Sequence, residues 1–124
     1  MISDDDAGPE PARLQATEDY FIPAGSGSRH LIFPGVEIRT TAGNNLMLSV
    51  VHLELDSVVL DHSHPHEQMG ILLEGRLEFT VGGVTRVLGP GDIWRIPGGI
   101  VHRVRALAQS VAVDVFHPIR EDYR

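Results

Sequence analysis

The chain contains neither cysteine nor lysine. Without cysteine there are no disulfides, iron–sulfur clusters or thiolate zinc sites, so a bound metal must be held by nitrogen and oxygen donors. Without lysine there is no Schiff base and no lysine general base; all ten basic side chains are arginine. Aromatic residues are sparse, at 6%, with one tryptophan. No run approaches the roughly 18 apolar residues that cross a bilayer. The start, Met1-Ile-Ser-Asp-Asp-Asp6, is acidic where a secretory signal is basic. A concentrated basic face, which nucleic acid requires, is also missing, since the net charge is -7. The expectation is a soluble cytoplasmic protein with no membrane or nucleic-acid partner.

The 124 residues suffice for a single core. Their acidity is concentrated at one end: Asp4, Asp5, Asp6, Glu10, Glu18 and Asp19 stand against Arg13 alone, leaving eleven acids against nine arginines beyond. Residues 1 to about 18 are rich in Asp, Pro, Gly and Ala and read as a loose arm. Short strands follow: Leu31–Phe33, Val36–Thr41, Leu46–Leu55, Val58–His62, Gly70–Leu73, Arg76–Val81, Val84–Leu88, Asp92–Ile96, Val101–Leu107 and Ser110–Phe116. Turns punctuate them, among them the hairpin Val81-Gly82-Gly83-Val84, where glycine supplies positive φ. Ten strands without a helix imply an all-β fold, a closed barrel or two-sheet jelly roll with a mouth able to take a ligand.

Chemistry concentrates in His62-Ser-His64-Pro-His66-Glu67-Gln68, with His102 beyond two glycine–proline turns. In an extended segment residues 62, 64 and 68 share one parity and converge, while Glu67 points away. This selects His62, His64, Gln68 and His102 as ligands of one divalent ion, of the Zn, Ni, Mn, Fe or Cu type. Pro65 disturbs the alternation, which places His66 at the rim. His30, His52 and His117 read as packing or surface residues.

These residues resemble the cupins, small β-barrels with a first motif G-x5-H-x-H-x3,4-E-x6-G and a second G-x5-P-x4-H-x3-N. His62, His64, Gln68 and Gly75 match the first; Gly91, Pro97 and His102 match the second. The resemblance implies a double-stranded β-helix, or jelly-roll, barrel over residues 31–124, preceded by an acidic arm and lead-in segment at residues 1–30. Gln68 departs from the usual Glu, and Ala106 from the usual Asn. Three neutral imidazoles and a neutral amide leave the ion its full charge, which favours Lewis-acid chemistry on an anionic small molecule.

On the last strand, Ala112, Asp114 and Phe116 alternate with Val111, Val113 and Val115. If the first face lines the barrel, Asp114 is a buried acid–base group; if the valines do, it is solvated. The ending Asp114-Val-Phe116-His-Pro118-Ile-Arg120 resembles that of the small monocupins of pectin and alginate breakdown, which open 4,5-unsaturated monouronates into linear keto-uronates. That resemblance implies catalytic roles for Asp114 and Arg120 and substrate contacts from Phe116 and Arg120. Otherwise Arg120 pairs at the surface with Glu121 or Asp122, and Trp94 reads as core or subunit contact. The function expected is a metal-dependent isomerase or lyase on an acidic sugar. A non-catalytic sugar-binding module is the alternative, with a dioxygenase after it. The valine stripe and the apolar Leu46–Leu55 strand suggest a homodimer.

Overall fold

The computed structural model describes residues 20–124; the acidic arm expected before them lies outside the described residues. Ten strands form: β1 (Ser28–Phe33), β2 (Val36–Ala42), β3 (Met47–Leu53), β4 (Val58–His62), β5 (Glu67–Glu74), β6 (Leu77–Val81), β7 (Val84–Leu88), β8 (Ile93–Ile96), β9 (His102–Ala106) and β10 (Ser110–His117). A short 3-10 turn, Glu121–Tyr123, ends the chain. No described helix is long and apolar enough to cross a membrane.

All pairings are antiparallel. One sheet runs β1-β2-β3-β10-β5-β8 and the other β4-β9-β6-β7, the jelly-roll arrangement expected. Alternation along each strand sends one set of side chains between the sheets. That layer contains Val36, Leu53, Leu72, Leu77, Ile96 and Ala106, all nearly inaccessible. Full burial of a Leu or Ile side chain contributes about 1.5–3 kcal/mol, so this layer is the main stabilising term.

The histidine cluster does not lie on a single extended segment: β4 ends at His62, residues 63–66 form a loop, and β5 starts at Glu67. The chain crosses from the smaller sheet to the larger one here. Pro65 lacks an N–H for a ladder, and the loop is pinned instead by the Gly99 N–H donating to the His64 carbonyl at 2.8 Å. The crossing places the candidate ligands between the two sheets.

Candidate metal centre and acid–base pocket

His62 closes β4 and His102 opens β9, and the two pair directly in register. Their ring centroids lie 4.1 Å apart. His64, from the crossing loop, brings its ring to 5.0 Å from His102 and 5.6 Å from His62. One nitrogen of each ring lies within 4.8 Å of the others. His66 is not part of this trio; its ring stands 5.5 Å from that of His64.

Each ring is oriented from behind. Nδ1 of His62 donates to the Leu60 carbonyl at 2.9 Å, Nδ1 of His64 to His66 at 3.0 Å, and Nδ1 of His102 to Ile100 at 2.9 Å. A carbonyl only accepts, so Nδ1 carries the proton and each Nε2 presents a lone pair. Burial keeps the inner rings neutral. It pushes His102 down to about 4, with help from the charges of His62, His64 and Arg120, against the Ile100 hydrogen bond. It also lowers His64, as does Arg120.

Two observations show that these donors fit a divalent ion. Nε2 of His102 is buried with no partner among the described residues, and an orphaned buried acceptor costs about 1–3 kcal/mol. Nε2 of His64 also faces Oε1 of Gln68 at 3.0 Å. The Gln68 amide cannot turn to offer its N–H there without losing the bond in which Nε2 donates to Asp114 Oδ1 at 3.0 Å. Two lone pairs therefore confront one another, and a shared cation relieves both this contact and the His102 orphan. Gln68 is buried and Glu67 exposed, as expected, though the alternation that sorts them is that of β5 alone and not of one segment running from His62.

On β10 it is Ala112, Asp114 and Phe116 that point inward; the reading of Asp114 as solvated fails. Asp114 Oδ1 accepts from Gln68 Nε2 and, at 2.7 Å, from Trp94 Nε1. Burial lifts the Asp114 pKa to about 6, opposed by these two hydrogen bonds and by Arg120. The Phe116 ring packs 5.7 Å from His64. Arg120 is not the surface residue of the alternative reading, although the Asp122 pair which that reading named is present. It is buried, yet its Nη2 donates to Asp122 Oδ2 at 2.8 Å. Its guanidinium lies 3.9 Å from the Tyr123 ring centroid and 5.4 Å from that of Phe116.

A cavity of about 70 Å³ is lined by His62, Gln68, His102, Asp114, Phe116 and Arg120, joined by Trp94 and Tyr123. The sequence reading missed these last two as site residues. Trp94 is core, as one expectation held, but its indole N–H serves the site. Tyr123 is held over the barrel by its own carbonyl, which accepts from His30 Nε2 at 3.0 Å and from the Thr40 hydroxyl. Neither is marked by spacing, since both depend on strand neighbours distant in sequence.

Comparison with known proteins follows the same lines. A cupin domain profile matches residues 49–116. An RmlC-like cupin from Shewanella frigidimarina superposes with a TM-score of 0.79 at 24% identity, covering 85% of this chain and 96% of that one. KdgF from Halomonas sp. gives a TM-score of 0.71 at 30% identity, over 80% of this chain and 98% of that one. Oxalate decarboxylase from Bacillus subtilis gives 0.74 at 18%, over 82% of this chain and 30% of that one. No curated protein matches in sequence. With the profile spanning more than half of the residues and the same two-sheet barrel in each relative, the chain belongs to the cupin family.

Proposed function

We propose that this cupin is a metal-dependent isomerase acting on a small acidic sugar, an unsaturated uronate. The observation that carries the reading is that the Asp114 carboxyl and the Arg120 guanidinium line one cavity with His62, Gln68 and His102. The ending shared with uronate-opening monocupins and the 30% identity to KdgF support it. His62, His64, His102 and Gln68 are the proposed ligands, and an ion held by these neutral donors supplies Lewis-acid polarisation of a substrate oxygen.

The remaining work falls to the chain's own residues. Arg120 pairs with the uronate carboxylate by exchanging its present partner, Asp122. Phe116 offers its ring to the sugar face. Opening the ring moves one proton from the anomeric hydroxyl to C4 and breaks the C1–O5 bond, so no atom is gained or lost. Asp114 Oδ2, without a protein donor among the described residues, can take and return that proton. A carboxyl with a pKa of about 6 exchanges protons readily near neutrality. The cavity is smaller than the ~300 Å³ of ordinary ligand sites. It admits the reacting edge of one ring, not an oligosaccharide.

The test incubates protein loaded in turn with Zn, Ni, Mn and Fe with unsaturated monouronates, and follows loss of their ultraviolet absorbance. His62→Ala should lose both metal and turnover. Asp114→Asn should keep the metal and lose turnover by at least about 100-fold. No turnover with any metal removes the uronate claim and leaves the metal claim standing. The small cavity favours a second reading, a binding module: metal retained and uronate bound, with no absorbance change.

A further inference from the structure

Asp114, Gly70 and Trp94 stand abreast on three neighbouring strands. Asp114 of β10 pairs with Gly70 of β5, and Gly70 pairs with Trp94 of β8. The indole reaches across the middle strand to Asp114 Oδ1, and both side chains are buried. This reach needs a residue without a side chain beneath it. A Cβ on Gly70 would lie 2.3 Å from Asp114 Oδ1 and 2.3 Å from Trp94 Nε1. Gly70 is not among the glycines with positive φ, so space rather than backbone conformation demands it. A glycine inside a strand costs about 0.5–1 kcal/mol relative to alanine, and one in a central strand marks a close approach by another group.

From the other side Gln68 donates to the same oxygen. Oδ1 is thus saturated by two donors, and the carboxyl plane is fixed. We infer that Gly70 and Trp94 are positioning residues for Asp114: they tie Oδ1 to the sheet and leave Oδ2 as the oxygen available to the cavity. The inference rests on the proton-transfer role proposed for Asp114, and it deepens that role. An unpinned carboxyl would rotate and present its proton site in several directions, which lowers the fraction of correctly aligned encounters.

Trp94 is the one tryptophan in the chain, so its indole N–H gives a single signal in a proton–nitrogen NMR spectrum. In zinc-loaded protein that signal should lie downfield and exchange slowly with solvent. It should persist in Asp114→Asn, whose Oδ1 still accepts. In Asp114→Ala and Gly70→Ala it should move upfield and exchange faster. Trp94→Phe keeps the ring bulk and removes only the donor; its kcat for an unsaturated monouronate should fall about 10- to 100-fold with KM within about twofold.

An indole signal unmoved by Asp114→Ala overturns the inference, as does an unchanged kcat in Trp94→Phe when the wild type turns over. If the wild type turns over no uronate, the proposed function falls and the indole signal alone decides the pinning. Should Gly70→Ala fail to fold, Trp94→Phe still decides.

Discussion

Asp114 and His102 are buried ionisable groups displaced in opposite directions, and their linkages to folding oppose each other. Asp114 titrates near 6 in the fold against 3.8 in a free chain. It therefore contributes stability at low pH that is lost as pH rises through 6. His102 titrates near 4 against 6.5. Its contribution is present above 6.5 and lost as pH falls through 4. In metal-free protein the two effects offset each other between pH 4 and 6. Asp114→Asn keeps an acceptor for Gln68 and Trp94 but removes one side of the balance. Its stability should drop from pH 6.5 to pH 4 more steeply than that of the wild type, by roughly 1–3 kcal/mol over the window. Urea denaturation in chelator at four pH values measures this; parallel curves would show that Asp114 is not desolvated. That Asp114 is anomalous was legible, because a carboxylate broke an apolar alternation. Which way it points was not, since both faces of β10 carry apolar residues and only the packed partner sheet decides between them.

Elements were legible where turn chemistry was explicit. The Val81-Gly82-Gly83-Val84 hairpin forms as the sequence requires, joining β6 to β7 with Gly83 at φ 80. β5 starts three residues before the Gly70 that the sequence suggests, because the polar Glu67 and Gln68 join the strand through pairing with His117 and Phe116 of β10. The motif glycines are not equivalent either. The family's first motif puts glycine six residues before its first histidine, and here that position is Asp56, still left-handed at φ 68. Gly75 turns β5 into β6 at φ 96, and a Cβ there would meet Ser110 Oγ at 2.1 Å and the Gln109 carbonyl at 2.5 Å. Around Gly83 nothing lies within 4 Å. Gly83→Ala should then cost only the left-handed strain, about 1–2 kcal/mol. Gly75→Ala adds a backbone clash, for a total above about 3 kcal/mol. Thermal unfolding of the two variants tests the ordering, and equal losses would show that the β5–β6 turn relaxes freely.

At the scale of the whole molecule, the two sheets of the barrel differ in where their exposed apolar residues lie. The smaller sheet presents Glu78, Arg103 and Arg105 on its central strands, with exposed Val58 and Leu60 on edge strand β4 and Val84 and Val87 on edge strand β7. The larger sheet presents Leu48, Met69, Leu73, Ile93 and Val115, between 36% and 62% exposed. These are neighbours: Val115 pairs with Leu48 on one side and Met69 on the other, while Ile71 joins Val113 to Ile93. A continuous apolar face in the middle of a sheet is costly in water and marks an interface. Charges border it, Arg39 beside Val50 and Arg95 beside Met69, and two copies related by a twofold axis would cover its apolar centre with like against like. The expected assembly is a homodimer. Light scattering on a sizing column should give twice the 13.6 kDa chain mass. Val113→Arg, at the centre of the face, should return it to one chain and leave metal content unchanged, because residue 113 points away from the histidines. Raised salt should not dissociate it, as an apolar contact owes little to charge. A wild-type mass of one chain would mean that this face is left to water or to another protein.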